Sequence, residues 1–154
     1  GLLSSVQCQE RIKGYQQALY EHEILFNPEY LKVGNWEREA GYGAGKELLT
    51  SANPPTAIFA LNDVMAGGVM DAAAELGLSI PRDLSLIGFD DREGRYSYRP
   101  KLTTMALPLN NIGQKATEIL INRIAKQEPK DLPRDLKLKC KLVERESVMA
   151  LPGG

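Results

Sequence analysis

The order of segments along this chain predicts an α/β domain built on a parallel sheet. Three observations carry that expectation. Short apolar runs alternate with segments of helical periodicity, two of the runs are unbroken enough to be covered on both faces, and each of those two ends on a polar pair. The runs are Thr56 to Leu61, followed by Asn62-Asp63, and Leu84 to Phe89, followed by Asp90-Asp91. Ligands of parallel α/β sheets collect at such carboxyl ends.

From Val6 to about Glu21, Cys8, Ile12, Tyr15 and Leu19 fall on one face of a helix, with Ser4 or Ser5 as its cap. Tyr30 to Gly34 follows a Pro28 loop and predicts a short strand. Glu37 to Ser51 returns to helical spacing, with Ala40, Ala44 and Leu48 on one side and Gly41 and Gly45 allowing close packing. Asn53-Pro54-Pro55 breaks the chain before the first apolar strand. Asn62-Asp63 then opens a helix whose Met65, Gly68, Val69, Ala72 and Leu76 share a face that ends at Gly77.

After the second apolar strand and a polar, aromatic loop, Leu102 to Leu107 suits a strand. Asn110 or Asn111 is expected to cap the next helix, which carries Ile112, Ala116, Ile119, Leu120 and Ile124, and Asn111 with Gln114 has capping-box spacing. Glu128 to Asp135 reads as a linker. Beyond it Leu136, Leu138, Cys140 and Leu142 alternate with lysines, the pattern of a half-exposed strand.

The chain has 154 residues, of which 43% are hydrophobic and 25% charged, which suits one globular domain. Nineteen basic and twenty acidic side chains leave a formal charge of −1, so no basic footprint for nucleic acid is present and any DNA contact must come from elsewhere. Two cysteines and one histidine do not supply a common zinc site. No apolar run reaches the roughly 18 residues of a membrane span. Gly1 to Glu10 lacks the pattern of a signal peptide, and the chain reads as cytoplasmic with no membrane partner. There is no GxxxxGK loop and no GxGxxG, Gly41 to Gly45 reads as packing, and His22 between two glutamates reads as a surface residue. No catalytic residue, metal or cofactor is expected.

Four residues are candidates for binding. Asn62 donates and accepts, and Asp90 accepts several hydrogen bonds, which suits a polyhydroxyl ligand; each is equally suited to capping the helix or turn that follows. Trp36, the only tryptophan, offers either a stacking face or a packing residue. Arg11 is either a solvated charge or a planar fork that holds a hydroxyl or carboxylate.

Four blocks occur in order: Glu10 to Tyr15 (ERIKGY), Pro55 to Ala66 (PTAIFALNDVMA), Ile80 to Asp91 (IPRDLSLIGFDD) and Pro100 to Thr104 (PKLTT). Together with Leu142 to Ser147 (LVERES), they resemble the lactose/galactose-repressor (LacI/GalR) family of bacterial transcription regulators. The resemblance spans nearly the whole chain.

It implies a Rossmann-like, three-layer parallel sheet, the C-terminal lobe of a periplasmic-binding-protein-like effector domain. It further implies that residues 1–106 and 136–148 form this lobe, that 107–126 cross to a first lobe, and that the chain is truncated at its N-terminus, where an apolar central strand would precede the first helix. By the same resemblance Arg11, Asn62 and Asp90 match positions that bind effector hydroxyls, and Trp36 matches a stacking aromatic. One departure stands out: many members carry a glutamine after Thr103-Thr104, where this chain has Leu107.

The implied function is effector sensing. A small sugar or sugar derivative would modulate operator DNA binding by an N-terminal helix-turn-helix in a homodimer. The helix from Asp63 to Leu76 and the Tyr96 to Pro100 loop are expected to form the dimer face. A periplasmic sugar-binding protein of a transport system is the alternative.

Overall fold

The computed structural model describes residues 3–91, 99–125 and 136–150. Along the chain lie α1 (Val6–Glu21), a 3-10 turn (Pro28–Tyr30), α2 (Arg38–Leu49), β1 (Ala57–Phe59), α3 (Asp63–Glu75), β2 (Ser85–Asp90), β3 (Thr103–Ala106), α4 (Leu109–Ile124) and β4 (Lys141–Val143). The sheet order is β1-β2-β3-β4. The first three strands are parallel and β4 runs antiparallel to β3, so the expected α/β fold holds with a mixed edge.

The core forms where the apolar strands meet α2 and α3. Ile58, Leu84, Leu86 and Leu102 pack with Leu48, Met65, Ala66, Val69 and Ala73. Glycine sets how closely the two helices approach: a Cβ on Gly41 would collide with the Met65 backbone, and one on Gly68 with the carbonyl of Arg38. The close packing expected of Gly41 is therefore met. The same packing buries Ala66, Gly67, Gly68, Ala72 and Ala73 inside the fold, so of the helix expected in the dimer face only the side with Asp71, Ala74 and Glu75 is exposed. Tyr96 to Tyr98 of the loop expected beside it lie outside the described residues, as does the linker from Glu128 to Asp135.

Ser5 caps α1 by accepting from the amide of Cys8 at 3.2 Å, as its position suggests. Four other expectations are corrected. Tyr30 to Gly34 forms no strand: the segment leaves the 3-10 turn with an extended backbone at Leu31 but joins no ladder. An apolar groove separates it from β1, bounded by Ile12, Tyr15, Tyr30, Leu31 and Phe59. For the same reason β1 is not covered all round; it is the sheet edge among the described residues, with Ala57 exposed and Ile58 buried.

At α4, Pro108 occupies the N-cap and no side chain caps the helix, so neither asparagine plays that part. The helix begins earlier than Asn110, and Asn110 and Asn111 fall inside its first turn. Of the alternating Leu136 to Leu142 stretch only its end pairs, in the strand Lys141–Val143, because the partner β3 extends only from Thr103 to Ala106.

Past β4 the chain returns to the core. The buried Ser147 hydroxyl donates to the carbonyl of Leu86 at 2.6 Å and accepts from the amide of Thr103 at 2.8 Å. It thereby satisfies backbone groups of both strands.

Candidate functional site

α1 turns one face inward, and on it Arg11 lies three residues after the buried Cys8. Its guanidinium donates through Nη1 to the carbonyl of Leu61. Nη2 lies 3.6 Å from Oδ1 of Asp90, and the two side chains are 16% and 18% exposed. The guanidinium carbon stands 3.8 Å from the ring centroid of Phe89 and 5.5 Å from that of Trp36. Burial lowers the pKa of Arg11 from its ordinary value, and the charge of Asp90 acts in the opposite sense. Of the two readings of Arg11, the solvated charge is excluded and the half-buried fork is what the structure contains.

Asn62 follows β1 and caps α3. Its Oδ1 accepts from the amide of Met65 at 2.8 Å, while Nδ2 donates to the carbonyl of Trp36 at 2.9 Å. Only 7% of the residue is exposed. The capping reading of Asn62 is met, and one donor and one acceptor site of the amide remain for a ligand. Trp36 sits at φ 75°, in the left-handed region. Its ring packs partly against the core and lies 5.5 Å from the Arg11 guanidinium, so the packing reading is met.

Asp90 ends β2 at φ 110° and Asp91 follows at φ 57°. Two successive non-glycine residues of positive φ are a strained turn of the kind that clusters at ligand sites. Oδ1 of Asp91 accepts from Arg145 at 2.8 Å.

The four sequence-derived candidates thus converge, with Arg11 and Asn62 each joined directly to Trp36 or to Asp90. The arrangement sets a planar donor fork and a carboxylate beside an indole face. That combination suits vicinal hydroxyls and the apolar face of a sugar ring. Sequence reasoning missed Phe89, which it counted as a strand residue; its only signal was an aromatic directly before a strand-end carboxylate. It also missed Arg145, which carries no signal beyond being an arginine close to β4.

The family described as periplasmic binding protein-like domain matches residues 4–148. The chain belongs to that family. Among its relatives is the helix-turn-helix-type transcriptional repressor PurR of Vibrio vulnificus, 39% identical over 128 residues, which cover 83% of this chain and 38% of the repressor. Among solved structures, the LacI family regulator from Enterococcus faecium with bound ribose matches 92% of this chain and 51% of its own, at 35% identity and TM-score 0.79. The Lac repressor dimer bound to operator and the anti-inducer ONPF matches 97% and 51%, at 30% identity and TM-score 0.84. The chain spans 38% of the PurR relative and about half of these two structures. Within the family it is an effector-binding region of the LacI/GalR type.

Proposed function

We propose that this chain is the effector-sensing region of a bacterial transcriptional repressor, and that it binds a sugar or sugar-containing ligand at Arg11, Trp36, Asn62 and Asp90. The observation that carries the reading is the half-buried pair of Arg11 and Asp90 beside the Trp36 ring, at the carboxyl ends of β1 and β2. The relatives support it further, being regulators, one with bound ribose and one a dimer on operator DNA. They favour a repressor over a transport-associated periplasmic protein. On this reading the protein is cytoplasmic, is not an enzyme and needs no cofactor. The whole protein forms a homodimer and binds operator through a helix-turn-helix domain.

Residues 107–126 cross to a first lobe. α4 supports this, since it buries none of its residues and leaves Leu109, Leu120, Ile121 and Ile124 exposed. The ligand shifts operator affinity only as far as it binds two lobe arrangements with different affinity.

The test is calorimetric titration of the intact protein with ribose, other aldoses, disaccharides and nucleosides. Saturable binding of at least one, lost in Arg11→Ala, is expected. A folded protein that binds no member of the panel would overturn the reading.

A further inference from the structure

Arg145 lies outside the ligand site, yet its guanidinium reaches the strained turn that presents Asp90. Its Nη1 donates to the carbonyl of Leu102 at 2.8 Å and its Nη2 to Oδ1 of Asp91 at 2.8 Å. The guanidinium is 15% exposed and the Asp91 carboxylate 26%. The arginine is itself held in place. Its amide donates to the hydroxyl of Thr103 at 2.9 Å, and the amide of the next residue, Glu146, donates to the carbonyl of Lys101 at 3.0 Å. One residue further on, Ser147 is buried between Leu86 and Thr103.

Arg145 therefore joins a fixed point on β3 to Asp91. Asp91 and its neighbour Asp90 hold left-handed backbones, at φ 57° and φ 110°. Non-glycine residues keep such conformations only where the surroundings impose them. Asp90 is one peptide bond away, so a restraint on Asp91 sets the direction in which the Asp90 carboxylate leaves the strand.

We propose that Arg145 is a positioning residue for ligand binding: by pairing with Asp91 it fixes the Asp90-Asp91 turn and aims the Asp90 carboxylate at the ligand. This rests on the ligand site proposed above. The arginine does not touch the ligand; it acts through Asp90. Its planar fork bridges a carbonyl and a carboxylate at once, a geometry that lysine reproduces only in part.

The test is a double-mutant cycle in the intact protein, with the member of the sugar and nucleoside panel that saturates the wild type as probe. Measurements are made below the melting temperature of every variant. Arg145→Ala should weaken binding on the order of tenfold, the scale of one hydrogen bond to a charged group. Arg145→Lys should recover part of that loss, and Asp91→Asn should resemble Arg145→Ala. In an Asp90→Ala background, Arg145→Ala should cost almost nothing more, because the residue it positions is gone.

Unchanged affinity in Arg145→Ala, or a loss that simply adds to that of Asp90→Ala, would overturn the proposal and leave Arg145 a structural staple. A ligand-free arm separates failure here from failure of the site reading. In nitrogen-15 spectra of the intact protein, Arg145→Ala should shift and broaden the amide signals of Asp90 and Asp91 while those of β1 and α3 stay in place. If no panel member binds the wild type, the site reading has failed and this arm alone decides: unmoved Asp90 and Asp91 signals overturn the positioning of the turn.

Discussion

Asn62 and Asp90 stand at the carboxyl ends of neighbouring parallel strands, Asn62 just past β1 and Asp90 as the last residue of β2, and the fold uses them in opposite ways. Asn62 is engaged chiefly by the protein. One end of its amide closes the first turn of α3, the other holds the Trp36 carbonyl, and only 7% of the residue meets solvent. Asp90 is an acceptor at a strained turn, 3.6 Å from the Arg11 guanidinium. Adjacent strand ends thus divide the work: Asn62 ties the start of α3 to the Trp36 backbone, and Asp90 holds a carboxylate beside the Arg11 guanidinium.

The comparison makes substitutions at the two positions fail differently, and the largest effect belongs to Asn62. Asn62→Ala removes the cap of α3 and leaves the Met65 amide and the Trp36 carbonyl without those partners. At about 1–3 kcal/mol for each unsatisfied group, urea denaturation should show a loss of about 2–4 kcal/mol. Asp90→Ala should instead cost about 1.5–3 kcal/mol of ligand affinity by calorimetry, with a much smaller change in the denaturation midpoint.

Asp90→Gly sharpens the point, because it removes the same carboxylate but accepts φ 110° without strain. It should be more stable than Asp90→Ala by about 1 kcal/mol in the same denaturation experiment. Asp71→Asn serves as the control. It breaks the bidentate pair with Arg38, whose side chains are 41% and 47% exposed, and should cost at most about 0.5 kcal/mol with no change in affinity.

What was legible in the sequence follows the same division. The paired polar strand ends, the apolar runs before them and the glycine-rich helices are local signals, and they led to β1, β2, α2, α3 and to Asn62 and Asp90, whereas Arg11 and Trp36 took their binding roles from the family resemblance. The part played by Asn62 was legible only as two open readings, since whether an amide caps or binds depends on where the Trp36 carbonyl lies. The strand expected at Tyr30 to Gly34 failed because an extended segment becomes a strand only with a partner, and the apolar groove stands where one would pair. The cap expected at Asn110 or Asn111 failed because the helix starts from Pro108, and no residue at the N-cap offers a side chain to the first turn. Phe89 and Arg145 act through contacts distant in sequence, Phe89 against α1 and Arg145 against the turn after β2, and no local pattern marks them.

The most direct test sets the two strand ends against each other. Asn62→Ala and Asp90→Ala are titrated with the same ligand in the intact protein, at a temperature where denaturation curves show both folded. The division of roles predicts that Asp90→Ala loses most of the binding free energy attributable to the pair while keeping near wild-type stability, and that Asn62→Ala shows the larger loss of stability and the smaller loss of affinity. The reverse order, with Asp90→Ala binding as the wild type does, would contradict it.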